Sequence, residues 1–207
     1  MGAGLAPVLR RHGFARKARR FVKTLPACAW VVEVEAGRFN TGSTGSFSVE
    51  LGVFHPAWFE QAWALPRMQR IMEPAADPPR IWNCLARESL SILACGDLHW
   101  NVEAETPVDR LASGVADAMT TTGLPWLERM TPLAASVAAL SDQFAGLQGA
   151  WLYKMMAMFG HVALGDIGDA ARMYRAADGD VITSEEMERE FGDWARERGV
   201  LPPRPLD

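Results

Sequence analysis

The clearest alternation of apolar and polar positions lies between residues 29 and 54. Trp30, Val32 and Val34 alternate with Val31, Glu33 and Glu35. Further on, Phe47, Val49, Leu51 and Val53 alternate with Ser46, Ser48, Glu50 and Gly52. A period of two is that of strands with one buried face. The intervening stretch from Gly37 to Gly45 is rich in turn formers, so the two strands are expected to form a hairpin. Pairing Trp30 with Leu51, Val32 with Val49 and Val34 with Phe47 puts all six on one face. It sets Glu33 opposite Ser48 and Val31 opposite Glu50 on the other. A one-residue slip would oppose Val32 to Glu50 and is rejected.

Around this hairpin the pattern predicts further elements. Leu5, Val8 and Leu9 have helical spacing, and Gly13 would end that helix. Residues 17–24 read as a first strand. A short helix carrying Trp58, Phe59 and Trp63 follows His55-Pro56, and residues 73–80 form a Pro-punctuated linker. Residues 81–90 and 98–105 read as two more strands, joined across Cys95-Gly96-Asp97. A helix then starts with Thr106 as N-cap, Pro107 at its first position and Asp109 facing the helix dipole. Leu111, Val115, Ala118 and Met119 form its apolar stripe, and Gly123 closes it. After Thr131 the spacing predicts helices near 133–146, 150–163, 167–177 and 184–198. Thr183 and Glu186 form a capping box for the last, and Pro202 to Pro205 make an extended tail. The expected fold is α+β: an antiparallel sheet of about five strands with helices on one face, plus an all-helical C-terminal extension. The expected domains are a core over 1–130, the helical extension over 131–199 and a tail over 200–207.

Composition changes this picture little, but charge adds a polarity. Of 207 residues, 49% are hydrophobic and 22% charged, which suits a folded chain and not a disordered one. The net charge is −4, yet residues 1–32 hold seven basic groups and no acid. That basic start complements the acidic remainder of the chain; nucleic-acid binding through it is the lesser reading. Three cysteines at unrelated spacings make no disulfide framework. There is no signal-peptide pattern, and the greasiest stretch, near 150–164, is broken by Lys154, Gly160 and His161. We therefore expect a cytoplasmic protein without a membrane span. Eight Trp residues and free strand edges favour a homo-oligomer.

Several residues carry a resemblance to a known family. They are Gly13-Phe14 after the first helix, Arg20-Phe21, the paired strands with Phe47 and Leu51-Gly52-Val53, Cys84 with Arg87, Trp100, and Leu124-Pro125-Trp126-Leu127. In order and spacing the stretch from Gly13 to about Arg129 resembles the bacterial family catalogued as domain of unknown function 4304. Glu50 stands where the family pattern has a neutral amide, and Leu85 where it has a polar residue. The resemblance implies a fold and no activity. Residues 150–177 also resemble one tetratricopeptide helix pair, through Gly165, Ala170, Tyr174 and Ala177. One such pair cannot bury its own faces, so a packed helical hairpin is expected, with a peptide groove as the other reading.

The strongest polar constellation is the far face of the hairpin, with Glu33, Glu35 and Glu50. If Phe21 joins the apolar face, Arg20 joins the carboxylates. Such a set can bind a cation or hold an acid–base pair, or it can be a solvated face with cross-strand ion pairs. Arg38 in the loop, Arg87 and Trp100 complete the candidate ligand or partner surface. Cys84, Cys95, His99 and His55 could be drawn as a zinc site, but only Cys95-x3-His99 approaches the spacing, so no metal is expected there. Asp178-Gly179-Asp180 lacks the other ligands of a calcium loop and reads as a turn. No G-x-S-x-G, H-E-x-x-H or C-x-x-C is present. No catalytic residue and no cofactor are therefore expected. The expected function is that of a non-enzymatic protein-binding module, an immunity or accessory component of a bacterial conflict system. The alternative is a hydrolase or nuclease working at Arg20, Glu33 and Glu50.

Overall fold

A computed structural model describes residues 2–37, 40–41, 44–97, 99–144, 147, 150–178 and 185–204. In chain order its elements are α1 (Gly2–Arg11), β1 (Ala15–Lys17), β2 (Arg20–Thr24), β3 (Ala29–Ala36), β4 (Thr44–Phe54), α2 (Pro56–Trp63) and α3 (Pro66–Ile71). Next come a 3-10 turn (Ile81–Asn83), β5 (Ala86–Ser89), α4 (Leu90–Cys95) and β6 (Trp100–Glu103). Then follow α5 (Val108–Ala118), a π-helical turn (Met119–Gly123), α6 (Leu124–Met130), α7 (Leu133–Phe144), α8 (Trp151–Leu164), α9 (Ile167–Asp178) and α10 (Glu185–Glu197). The chain divides into two compact units. One holds Met1–Phe54 with Ala75–Thr131, the other His55–Pro74 with Pro132–Asp207.

The first unit is built on an antiparallel sheet of six strands among the described residues, in the order β1-β2-β3-β4-β5, with β6 also on β4. The α+β class and the helical C-terminal part are as the sequence pattern predicts. The predicted face assignment holds too: Trp30, Val32, Val34, Val49, Leu51 and Val53 share one side. The register differs by two residues. Trp30 pairs with Val53, Val32 with Leu51 and Val34 with Val49. On the far side Val31 lies opposite Gly52, and Glu33 opposite Glu50. The reason lies on that far side. The observed register gathers Val22, Val31 and Gly52 in one apolar row and Arg20, Glu33, Glu50 and Ser89 in one polar row. The predicted register would have set Glu50 against buried Val31, and burying a charge without a partner is costly. Gly52 is required there: a Cβ on it would lie 2.7 Å from Cys84 Sγ and from Ile81 Cδ1. Val22, Ala29, Val31 and Cys84 make a small second core beneath that turn.

Other expectations are corrected in detail. Only Ala86–Ser89 of the predicted 81–90 strand is extended, and Leu90–Cys95 is helical. β5 and β6 do not pair with each other. The 11-residue β4 is long enough to seat both, β6 along Thr44–Phe47 and β5 along Glu50–Val53. Thr106 does not cap α5; its hydroxyl accepts the Glu103 amide at 2.8 Å, and Pro107 takes the N-cap place. Gly123 does not stop that helix either. It is helical, with φ −67°, and the chain runs through the π turn into α6. Gly13 does end α1, at φ +85°, a conformation that favours glycine.

Helices of the first unit cover the apolar side. Trp30 Nε1 donates to Thr131 Oγ1 at 2.8 Å just beyond α6, and α1 packs on α5. Leu9, Val32, Val49, Leu51 and Val53 are fully buried.

The second unit is helical. α8 packs against α2, α7 and α9, and its residues from Lys154 to His161 are all buried, as expected of a helix that is apolar nearly all round. Trp58 Nε1 donates to the Met156 carbonyl at 2.9 Å, and His55 Nε2 lies 3.1 Å from Ser136 Oγ. These bonds explain why residues 55–74 group with the later helices. The Lys154 ammonium donates to the Ala176 carbonyl at 3.2 Å, which joins α8 to α9. Thr183 of the predicted capping box lies outside the described residues, as does the Asp178–Asp180 turn beyond its first residue.

Candidate binding site

The predicted polar row exists, and two of its members are engaged by the linker. Arg20, Glu33 and Glu50 lie side by side across β2, β3 and β4. The Arg20 guanidinium donates to the carbonyls of Pro78 and Pro79 at 2.9 and 3.1 Å. The Glu33 carboxylate accepts the Ile81 amide at 3.3 Å. Together they strap the Pro-rich linker onto the far side of the sheet, satisfying backbone groups that no strand partner reaches. Glu50 is half-buried, and its carboxyl is held above the ordinary range. Burial is the main cause, aided by the charges of Glu35 and Glu88; a hydrogen bond to Ser48 and the charge of His99 oppose it.

The remaining candidates divide between the sides. Arg87 pairs with Gly52 on the far side and places its guanidinium 5.8 Å from the Trp82 ring. Trp100 pairs with Phe47 on the helix-covered side and stacks on it at 5.4 Å. Arg38 lies outside the described residues. The residues considered for zinc, Cys84, Cys95, His99 and His55, form no cluster among the described residues. Burial pushes the Cys84 and Cys28 thiols up, which leaves them unreactive, while Cys95 is exposed.

Among the described residues of the first unit, cavities open on both sides of the sheet. The polar one, about 510 Å³, lies on the far side beyond the row, lined by Glu35, Asn40, Ser48, His99 and Asn101 among others. The larger, about 620 Å³, was not legible in the sequence. Its floor is the apolar side of the sheet (Phe21, Val34, Phe47 and Val49), and its walls are Leu5 of α1 with Val108, Leu111, Ala112 and Val115 of α5. Val34 is only half-buried there and Val108 is 59% exposed at the mouth. Small residues make the space: Ala36 ends β3 and Ala112 faces it from α5. Arg16 and Arg19 stand at the rim, both exposed, against a single carboxylate, Glu103, among the described lining residues. The Arg16 guanidinium lies 5.5 Å from the Phe21 ring, which holds it over the apolar floor. An apolar chamber of this size with a few charged groups at its edge is the usual form of a binding pocket.

A family model described as a domain of unknown function (DUF4304) matches residues 5–129. The chain belongs to this family. Both cavities are formed by residues of the DUF4304 match, and the match also takes in residues 55–74 of the second unit. No curated protein matches the chain, and no solved structure does. No described helix is long and apolar enough to cross a membrane.

Proposed function

We propose that the DUF4304 domain is a non-enzymatic module that binds a protein, and that the apolar cavity is its seat. The observation that carries this is a chamber of about 620 Å³ with two exposed arginines at its mouth. The occupant it suits is an aromatic or aliphatic anchor side chain next to a carboxylate on the partner. Buried anchors of this kind dominate protein interfaces, and rim charges steer encounter. The biological role that goes with this reading is an immunity or accessory component of a conflict system, which acts by occupying its partner. Three free cysteines suit a reducing cytoplasm.

The test is capture of a partner from the native host by the wild-type chain and by two variants. Val34→Trp fills the cavity and Arg16→Glu with Arg19→Glu reverses the rim. A partner lost from both variants, with circular dichroism unchanged, supports the reading. Equal capture by all three chains refutes it. A second copy of the chain as occupant would appear as self-association that Val34→Trp removes.

A second reading, an enzyme of the hydrolase or nuclease class, is favoured by one observation. The Glu50 carboxyl is raised by burial beside the polar cavity lined by Glu35, Ser48 and His99, and a raised carboxyl in a cleft is a general-acid feature. Turnover of ester or phosphodiester substrates lost in Glu50→Gln, with stability intact, would select it over the binding module.

A further inference from the structure

The second unit contains a cluster that the sequence pattern does not announce. His161 is in the last turn of α8, Gly165 reverses the chain at φ +74°, and Asp166 and Asp169 open α9. One ligand atom from each of His161, Asp166 and Asp169 lies within 4.8 Å of the others. Acidic residues at a helix start have an ordinary role, and part of it is visible here. Asp166 Oδ1 accepts the Asp169 amide at 3.2 Å as an N-cap, and Asp169 pairs with Arg172 at 2.8 Å.

The histidine is not explained that way. His161 is 7% exposed, and its Nδ1 is fully buried without a hydrogen-bond partner. That nitrogen faces the second Asp166 oxygen, Oδ2, at 3.5 Å. Its other nitrogen, Nε2, lies 3.0 Å from the buried Ser141 hydroxyl. The Ser141 bond fixes the ring, and in the tautomer whose Nε2–H donates to Ser141 the Nδ1 lone pair faces the Asp166 carboxylate. Fixing an imidazole by a hydrogen bond from its far nitrogen is how protein metal ligands are oriented. In that tautomer the buried Nδ1 meets Asp166 with no proton to give, a costly arrangement that a cation between them relieves.

We propose that His161 Nδ1 and the carboxylates of Asp166 and Asp169 bind one first-row divalent cation of the zinc or cobalt type. An imidazole with two carboxylates selects such ions over magnesium or calcium, which prefer all-oxygen sites. Ligand atoms around a bound zinc stand about 3–3.5 Å apart, so the two carboxylates, both at the surface, close in by about 1.5 Å. Arg172 competes with the ion for Asp169. The site is independent of the cavity in the DUF4304 domain.

The test is calorimetric titration of Zn²⁺ into the chelator-stripped full-length chain, with imidazole ¹⁵N NMR as second readout. One equivalent should bind, and the His161 Nδ1 resonance should move. Asp166→Asn keeps the N-cap, because Asn caps as well as Asp, and Asp169→Asn changes an exposed group. Each should weaken binding tenfold or more, while Arg172→Gln should tighten it severalfold. Absence of stoichiometric binding overturns the site. So does affinity that neither Asp variant changes, or a His161 resonance that stays still, since the ion would then sit elsewhere, for example on exposed Cys95.

Discussion

The two sides of the sheet follow different rules. The helix-covered side is apolar along β3 and β4, with charged residues only on the outer strands, and at one end small residues leave a chamber. The far side is divided. One half is a small core of Val22, Ala29, Val31 and Cys84, and the other is the row of Arg20, Glu33 and Glu50. The apolar side carries the opening that suits a ligand. On the polar side, two members of the row Arg20, Glu33 and Glu50 hold a loop. Charged residues gathered on a sheet therefore do not mark a site until their partners are known, and a continuous apolar face does not exclude one.

Three substitutions sharpen that contrast, from the largest effect to the smallest. Leu51→Ala empties a fully buried position on the apolar side and should cost about 2–5 kcal/mol in denaturant unfolding. A loss below about 1 kcal/mol would mean that this side is loosely packed throughout, and the chamber would then be no special place. Arg20→Met keeps the apolar stem and removes two hydrogen bonds to the linker. It should cost about 1–2 kcal/mol and make residues 75–80 more readily cut by a nonspecific protease. Unchanged stability and cleavage would return Arg20 to the pool of functional residues.

Glu50→Gln should have the smallest effect and the opposite sign. Its carboxyl is raised in the folded chain, so ionising it disfavours folding. The penalty is absent below the ordinary carboxylate range and fully present above the folded value. The variant should thus be slightly more stable than the wild type at neutral pH. That advantage should vanish as the pH falls through the carboxylate range. An advantage that persists in acid would assign the effect to packing rather than charge.

Much of this fold was legible because local rules decide it. Parity of apolar positions sorted the paired residues of β3 and β4 to their sides, and Gly13 and the post-131 helix pattern marked real ends and segments. What escaped depends on distant partners. The two-residue register shift puts Val31 opposite Gly52, over which Cys84 and Ile81 pack from some thirty positions away in the chain. Leu90–Cys95 reads as strand by composition, yet it packs as a helix against the π turn. At the candidate site, the row of Arg20, Glu33 and Glu50 followed from alternation, but its engagement by Pro78, Pro79 and Ile81 did not. The chamber left no motif, since it arises from Ala36 and Ala112 being small rather than from any group being present. His161, Asp166 and Asp169 escaped for a related reason. Their meeting needs the α8–α9 reversal, and each residue alone reads as an ordinary helix-end group.

The π turn at Met119–Gly123 has a geometric consequence. A residue added to an α-helix turns all that follows by about 100° about the axis. A π turn absorbs one residue without ending the helix. The long rod from Val108 to Met130 therefore has two independent aims. α5 presents Leu111, Ala112 and Val115 to the chamber, and α6 presents Leu124, Leu127 and Met130 to the interior. Without that wide turn the rod could satisfy only one of them. The meeting of Trp30 with Thr131 at its far end is thus set by angular phase, fixed where Thr120 and Thr121 bond back to the carbonyls of Ala116 and Asp117.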